Sequence, residues 1–170
     1  LRRLAQCGPE LLLAVSCSKN FGLYRERTGV LVALAENADP ASAIATHQAR
    51  TARRRYSMPP DHGAAAVAAV LDDDAMRAIW LEELNSMVAR MKSLRALLAE
   101  KLSLRRPDAD LGWLSAQRGM FSLLGLDEAG ITTLRDKHHI YLPPDGRMNV
   151  AGVSLANVDY IADSLAALLP

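Results

Sequence analysis

The chain has 170 residues, half of them hydrophobic, with a mean hydropathy of +0.03 and a formal net charge of +1. This is enough for one domain or for pieces of two, and the balance is that of a globular chain rather than a disordered one. A charge so near zero gives no electrostatic reason to expect nucleic acid or an acidic membrane surface as a partner.

Leu1 to Ala5 reads as the tail of a helix, with Gly8-Pro9 as its stop signal. Leu11-Leu12-Leu13-Ala14-Val15 is an apolar, branched run of strand length, the pattern of a strand buried on both faces. A polar stretch from Ser16 to Gly29 follows, then a second strand from Val30 to Ala35. Asn37 to Pro40 is a turn cluster, with Asp39 as the expected N-cap of a helix from Pro40 to about Arg54. Tyr56 to Gly63, with its paired prolines, breaks that helix, and a small-residue helix resumes from Ala64 to Leu71. Asp72-Asp73-Asp74 caps a long helix from Ala75 to about Leu104. Met76, Ile79, Trp80, Leu84, Met87, Met91, Leu94, Leu97 and Leu98 recur along it at three- and four-residue steps. The remainder reads as a strand-like element over Trp113–Leu124 broken at Arg118-Gly119, and a helix capped by Asp127 running to about His138. Short strands at Ile140–Leu142 and Arg147–Val153 and a closing helix from Leu155 to Leu169 complete it. The order predicts an α/β class with at least two subregions.

Arginine outnumbers lysine sixteen to four, so each lysine is worth inspecting. Lys19 ends the first apolar strand, where α/β sheets place ligands, and partial desolvation there would favour a neutral amine and Schiff-base chemistry. Eight residues on, Arg27 offers a planar fork suited to a phosphate, with the Ser16 and Ser18 hydroxyls nearby. On the residues alone, the preferred reading of the two serines is turn hydroxyls satisfying local backbone groups. Arg54 and Arg55 likewise read as favourable charges at a helix C-terminus. Cys7 and Cys17 are too few for a disulfide framework, and His138-His139 lacks the partners of a zinc site, so no metal is expected. No charged-then-apolar leader opens the chain and no apolar run reaches the ~18 residues of a membrane span, so the cytoplasm is the expected compartment.

Ser16-x-Ser18-Lys19-Asn20-Phe21-Gly22-Leu23-Tyr24-x-Glu26-Arg27-x-Gly29 resembles the cofactor-lysine segment of class I (fold type I) pyridoxal-phosphate-dependent aminotransferases, the aspartate and aromatic amino acid branch. Two further phrases carry the same resemblance. One is Arg53-x-x-Tyr56-Ser57-x-Pro59-Pro60-x-x-Gly63; the other joins Gln117-Arg118-Gly119-Met120-Phe121-Ser122 to Gly146-Arg147-x-Asn149-Val150-Ala151-Gly152. The resemblance implies the C-terminal part of a large cofactor domain over residues 1–84, and a smaller αβ C-terminal domain over 85–170, joined by the long helix. Lys19 would be the catalytic lysine that bonds pyridoxal 5'-phosphate, with Ser16, Ser18 and Arg27 on the phosphate. Arg147 would take the substrate α-carboxylate beside Phe121. Arg53, with Ser57 nearby, would reach a distal carboxylate in the neighbouring subunit of a homodimer.

The implied reaction moves the amino group of tyrosine, phenylalanine or aspartate to 2-oxoglutarate in a ping-pong cycle. Met58 stands where aspartate-specific members usually carry Asn, so Tyr56 to Gly63 looks more like the aromatic branch. Cys17 replaces a more usual aromatic, and Pro143-Pro144-Asp145 a small-residue approach to Gly146-Arg147. The family's carboxylate for the pyridine nitrogen, its tyrosine at the ring hydroxyl, its stacking aromatic and its phosphate turn all fall upstream of the match. With no methionine ahead of Leu1-Arg2-Arg3, the expectation is the C-terminal portion of a longer protein, inactive or nearly so alone. Two alternatives stand beside this one: a non-catalytic folding or dimer-interface module, and another pyridoxal-phosphate enzyme of the same fold.

Overall fold

The computed structural model describes residues 2–6, 8 and 10–169, which divide into two compact units, Leu1–Leu81 and Glu82–Pro170. Cys7, and Pro9 of the expected stop signal, lie outside the described residues.

The first unit opens with a single helical turn, α1 (Arg2–Ala5), followed by an antiparallel ribbon of β1 (Leu11–Ser16) and β2 (Gly29–Leu34). The register runs from Leu11 opposite Leu34 to Ser16 opposite Gly29, so the strand ends carry the Ser16–Gly29 loop. β1 is not buried on both faces as its run of leucines suggested. Leu11 and Leu13 are half-buried, while Leu12 is 66% exposed. Two strands have one neighbour each, and a ribbon cannot cover both of its faces.

Helix α2 (Ala38–Tyr56) begins two residues before the expected Pro40. Its cap is Asn37 rather than Asp39: the Asn37 side chain accepts the Asp39 amide, and Asp39 lies in the first turn, where its charge complements the helix dipole. Ile44, Gln48 and Ala52, four residues apart, form its half-buried stripe. After the Ser57–Asp61 break comes α3 (His62–Asp72), then α4 (Asp74–Arg105), whose first turn is capped by Asp73 Oδ1 accepting the Met76 amide at 2.9 Å.

Burial along α4 is uneven. Met76, Ile79 and Met87, expected on its apolar face, are exposed, whereas Leu94, Arg95, Leu98, Ala99 and Leu102 are buried. The second unit is built on that C-terminal stripe. Leu94, Leu98 and Leu102 pack with Leu114 of α5 (Gly112–Ala116), Leu134 of α6 (Glu128–His138), and Val158 and Leu165 of α7 (Val158–Ala166). Leu124, Val150 and Val153 complete the core. Each fully buried leucine contributes about 1.5–3 kcal/mol relative to an exposed one.

Three expectations fail here. Trp113 to Ala116 is helical, not a strand, because burying both Leu111 and Leu114 needs a turn, closed by the Leu114 amide on Leu111 O at 3.1 Å. Ile140 to Leu142 forms no strand, since among the described residues β4 (Arg147–Asn149) pairs only with β3 (Phe121–Leu123). The Ile140 amide instead closes the end of α6 on Leu134 O. Finally, β4 stops at Asn149, whose side chain accepts the Ala151 amide and starts a 3₁₀ turn, Val150–Gly152. Asp127 caps α6 as expected, accepting the Gly130 amide at 2.8 Å.

Candidate functional site

The loop between β1 and β2 is closed at its neck by the Cys17 amide on Thr28 O (2.9 Å) and turned by the Phe21 amide on Cys17 O (3.2 Å). Ser16, Ser18, Lys19 and Arg27 all lie on this one loop. Ser16 Oγ accepts the Ser18 amide at 3.1 Å and donates to Ser18 Oγ at 2.9 Å, so both serines satisfy local groups as turn hydroxyls do. That arrangement leaves the Ser18 O–H proton for a further acceptor.

Arg27 is held at φ +53°, a left-handed conformation few non-glycine residues adopt, and its Nη1 donates to Tyr24 O at 2.8 Å. The same Tyr24 places its ring 4.1 Å from Lys19 Nζ. Tyr24 therefore links the amine and the guanidinium, one through its ring and the other through its carbonyl. Ser16 and Arg27 line an open depression of about 330 Å³ with Thr28 and Gly29; Lys19 is not among its lining residues. Lys19 is exposed, against the expectation of a desolvated amine, because the ribbon supplies no second layer over it.

The loop is braced from two sides within the first unit. Trp80 Nε1 donates to Asn20 O at 2.8 Å, and its ring stacks on Phe21 with centroids 4.6 Å apart and planes 11° from parallel. Gly63, in the first turn of α3, packs so closely on the loop that a Cβ there would lie 2.1 Å from Thr28 Oγ1 and 2.6 Å from Glu26 Cβ. Next to it, His62 Nδ1 lies 3.2 Å from Glu26 Oε2.

Arg53 sits in the last turn of α2 and Ser57 caps it, its amide donating to Arg53 O at 3.1 Å with Ser57 at φ +61°. Among the described residues the exposed Arg53 guanidinium has no hydrogen-bond or ion-pair partner, and Met58 beside Ser57 is 83% exposed.

In the second unit, Phe121 and Arg147 come together on the outer face of the β3–β4 ribbon. Arg147 Cζ lies 4.7 Å from the Phe121 ring centroid, and Leu123 is the register partner of Arg147. Asp145 accepts the Arg147 amide at 3.1 Å and brings a second carboxylate oxygen 3.8 Å from Arg147 Nε. A planar guanidinium over an aromatic face, open to solvent, suits bidentate capture of a carboxylate.

Sequence reasoning missed Tyr24, Trp80 and Asp145 as parts of these clusters. Tyr24 lies inside the quoted motif, but nothing in its spacing says that it bridges Lys19 and Arg27. Trp80 is sixty residues from Asn20, a contact no local pattern reveals.

A family model described as Aminotransferase class I and II matches residues 2–165. The chain belongs to that family. Among its relatives is a tyrosine aminotransferase of Rhizobium meliloti (strain 1021), 48% identical over 168 residues, with 99% of this chain and 43% of the relative covered. An aspartate aminotransferase of Haemophilus influenzae is 40% identical over 169 residues, with 99% and 43% covered. The solved aromatic-amino-acid aminotransferase of Burkholderia pseudomallei, covalently bound to pyridoxal phosphate, superposes with a TM-score of 0.86. It is 38% identical, with 99% of this chain and 42% of that one covered. The chain thus spans about 43% of the length of these curated relatives, and its mixed α/β architecture is that of fold type I aminotransferases.

Proposed function

We propose that this chain is part of an aminotransferase that uses pyridoxal 5'-phosphate to move the amino group of an aromatic or acidic L-amino acid to 2-oxoglutarate. The observation that carries this is the β1–β2 loop: one turn presents an amine, a guanidinium and two hydroxyls, with Tyr24 holding the amine and the guanidinium. That donor set fits the cofactor, an aldehyde joined to a phosphate. The cofactor, when bound, supplies the electron sink that lets a proton leave the substrate Cα.

The residues divide the work. Lys19 is the residue whose Nζ would hold the cofactor aldehyde and take up the proton that leaves the substrate Cα. Arg27 and the Ser16 and Ser18 hydroxyls take the phosphate, where charge-assisted hydrogen bonds are strongest. Arg147 takes the α-carboxylate, and the Phe121 ring gives it an apolar wall. Arg53, without a hydrogen-bond or ion-pair partner among the described residues, reaches the distal carboxylate of a substrate held by a second copy, which makes the working protein a homodimer. Division of the chain into the end of a cofactor domain and a smaller αβ domain belongs to the same proposal.

Met58 and the tyrosine aminotransferase relative favour aromatic substrates, with aspartate as a further one. No helix among the described residues is long and apolar enough to cross a membrane. A cytoplasmic site is part of the proposal, supported by the free thiol of Cys17, which suits a reducing compartment.

The test is turnover of L-tyrosine, L-phenylalanine and L-aspartate with 2-oxoglutarate by the intact polypeptide that carries this sequence. Transamination that is abolished in Lys19→Ala supports the proposal. Turnover that survives in Lys19→Ala removes it.

A further inference from the structure

Arg95 is the one charged residue in the buried stripe of α4, flanked by Leu94, Leu98 and Ala99, and it is only 3% exposed. Burial pushes its guanidinium below the ordinary arginine range. No carboxylate pairs with it among the described residues. Instead Nη2 donates to Gly119 O at 2.5 Å and Nε to Ser122 Oγ at 3.2 Å. A guanidinium buried without a counter-charge is a costly occupant of an aliphatic stripe, where a leucine or methionine of similar volume would avoid the desolvation penalty.

What this arginine holds is informative. Its two acceptors stand on either side of Met120-Phe121, so it grips the start of β3 at two points. Strand β3 has three residues and pairs with only three in β4: Phe121 opposite Asn149, Ser122 opposite Met148, Leu123 opposite Arg147. Side chains alternate along such a ribbon. Ser122 and Met148 point into the core, while Phe121 lies on the other face with Arg147. A slip of one residue would turn Phe121 inward and Ser122 outward. The Arg95–Ser122 bond opposes that slip by anchoring the inward residue.

We propose that Arg95 is a positioning residue for the substrate-carboxylate subsite, keeping Phe121 beneath Arg147 by fixing Gly119 and Ser122. The inference rests on the reading of Arg147 as the carboxylate ligand. It adds that the affinity of that ligand is set from the far side of the ribbon, by a residue that never touches substrate.

The test combines kinetics on the intact polypeptide with NMR of the chain, where the Phe121 ring current marks the Arg147 Nε–H resonance. In Arg95→Met, KM for the amino acid should rise about tenfold, since small misplacement of a binding group weakens its contact, while kcat stays within about twofold. The Arg147 resonance should move toward its unstacked position. Arg95→Lys, which reaches one acceptor, should fall between. A variant that loses thermal stability but keeps both KM and the Arg147 resonance would show a packing role only and overturn the inference. Should Arg95→Met not fold, Ser122→Ala removes one acceptor without changing the charge. It should shift both readouts in the same direction by less; no shift overturns the inference. Arg147→Met separates the two readings. If it raises KM while Arg95→Met does not, the positioning role alone fails. If it leaves KM unchanged, the carboxylate reading fails, and the resonance still decides whether Arg95 holds the pair.

Discussion

Replacing Gly63 by alanine asks whether the first turn of α3 holds the Arg27 loop in place. The new methyl would stand 2.1 Å from Thr28 Oγ1 and 2.6 Å from Glu26 Cβ, against ordinary contacts of 3.4 Å or more. Thr28 can rotate its hydroxyl away, but Glu26 Cβ is fixed to the backbone, so helix and loop must separate by close to 1 Å. Overpacking of this kind costs about 1–3 kcal/mol of stability. A shift of that size in the neighbour of Arg27 should weaken pyridoxal phosphate binding by about tenfold or more. The assay is an absorbance titration of the cofactor into the intact polypeptide, paired with a melting curve. Thr28→Ala in the Gly63→Ala background removes the shorter contact and leaves the one to Glu26, so it should restore the affinity only in part. A Gly63→Ala variant that binds and melts like the parent would refute the reasoning.

Other outcomes follow from single contacts. Asp145→Asn keeps the turn, because the amide oxygen can still accept the Arg147 N–H, but removes the carboxylate beside the Arg147 guanidinium. An exposed pair of this kind is worth about 0.2–1 kcal/mol, so KM for a carboxylate substrate should fall by at most about fivefold; a rise would contradict the competition. Trp80→Phe keeps the stack on Phe21 but loses the bond to Asn20 O. At about 1 kcal/mol, this should speed amide exchange in the loop about fivefold, and unchanged exchange would mean the bond carries no strain of the loop. Arg105 on α4 donates to Asp163 at 2.5 Å and to Asp159 at 3.2 Å, both on α7. Its hydrogen bond lowers the Asp163 pKa, and Lys101 with Arg105 lowers that of Asp159. Depressed carboxyls stabilise the fold above their ordinary range and lose that contribution as pH falls through their folded values. Melting curves should therefore place Arg105→Gln below the parent at pH 7 and level with it in strong acid; a gap independent of pH would count against the ion pairs.

Much of this molecule is legible from local chemistry. The β1 and β2 runs, the Asp127 cap, the proline break after Tyr56 and the length of α4 each depend on a few adjacent residues. The candidate site loop is equally local, since Ser16, Ser18, Lys19 and Arg27 lie within twelve positions. What failed depends on distant partners. Leu12 is apolar enough for a two-sided core, yet burial requires a second layer that no run of leucines can announce. Trp113 to Ala116 reads as the start of a strand-like element, but the need to bury Leu111 with Leu114 makes it helical. Ile140 to Leu142 has strand composition and no strand beside it. Arg95 shows the limit most clearly: in the sequence it is one arginine of sixteen on a helix, and only the Gly119 and Ser122 contacts give it a task.

The most direct measurement is to load the intact polypeptide with pyridoxal 5'-phosphate, reduce it with borohydride, and map the phosphopyridoxyl group by peptide mass spectrometry. The expected adduct falls on Lys19, disappears in Lys19→Ala, and is lost from the parent when L-tyrosine is added before reduction. An adduct on Lys92, Lys101 or Lys137 instead, or labelling at Lys19 that amino acid does not discharge, would contradict an aminotransferase built around this loop.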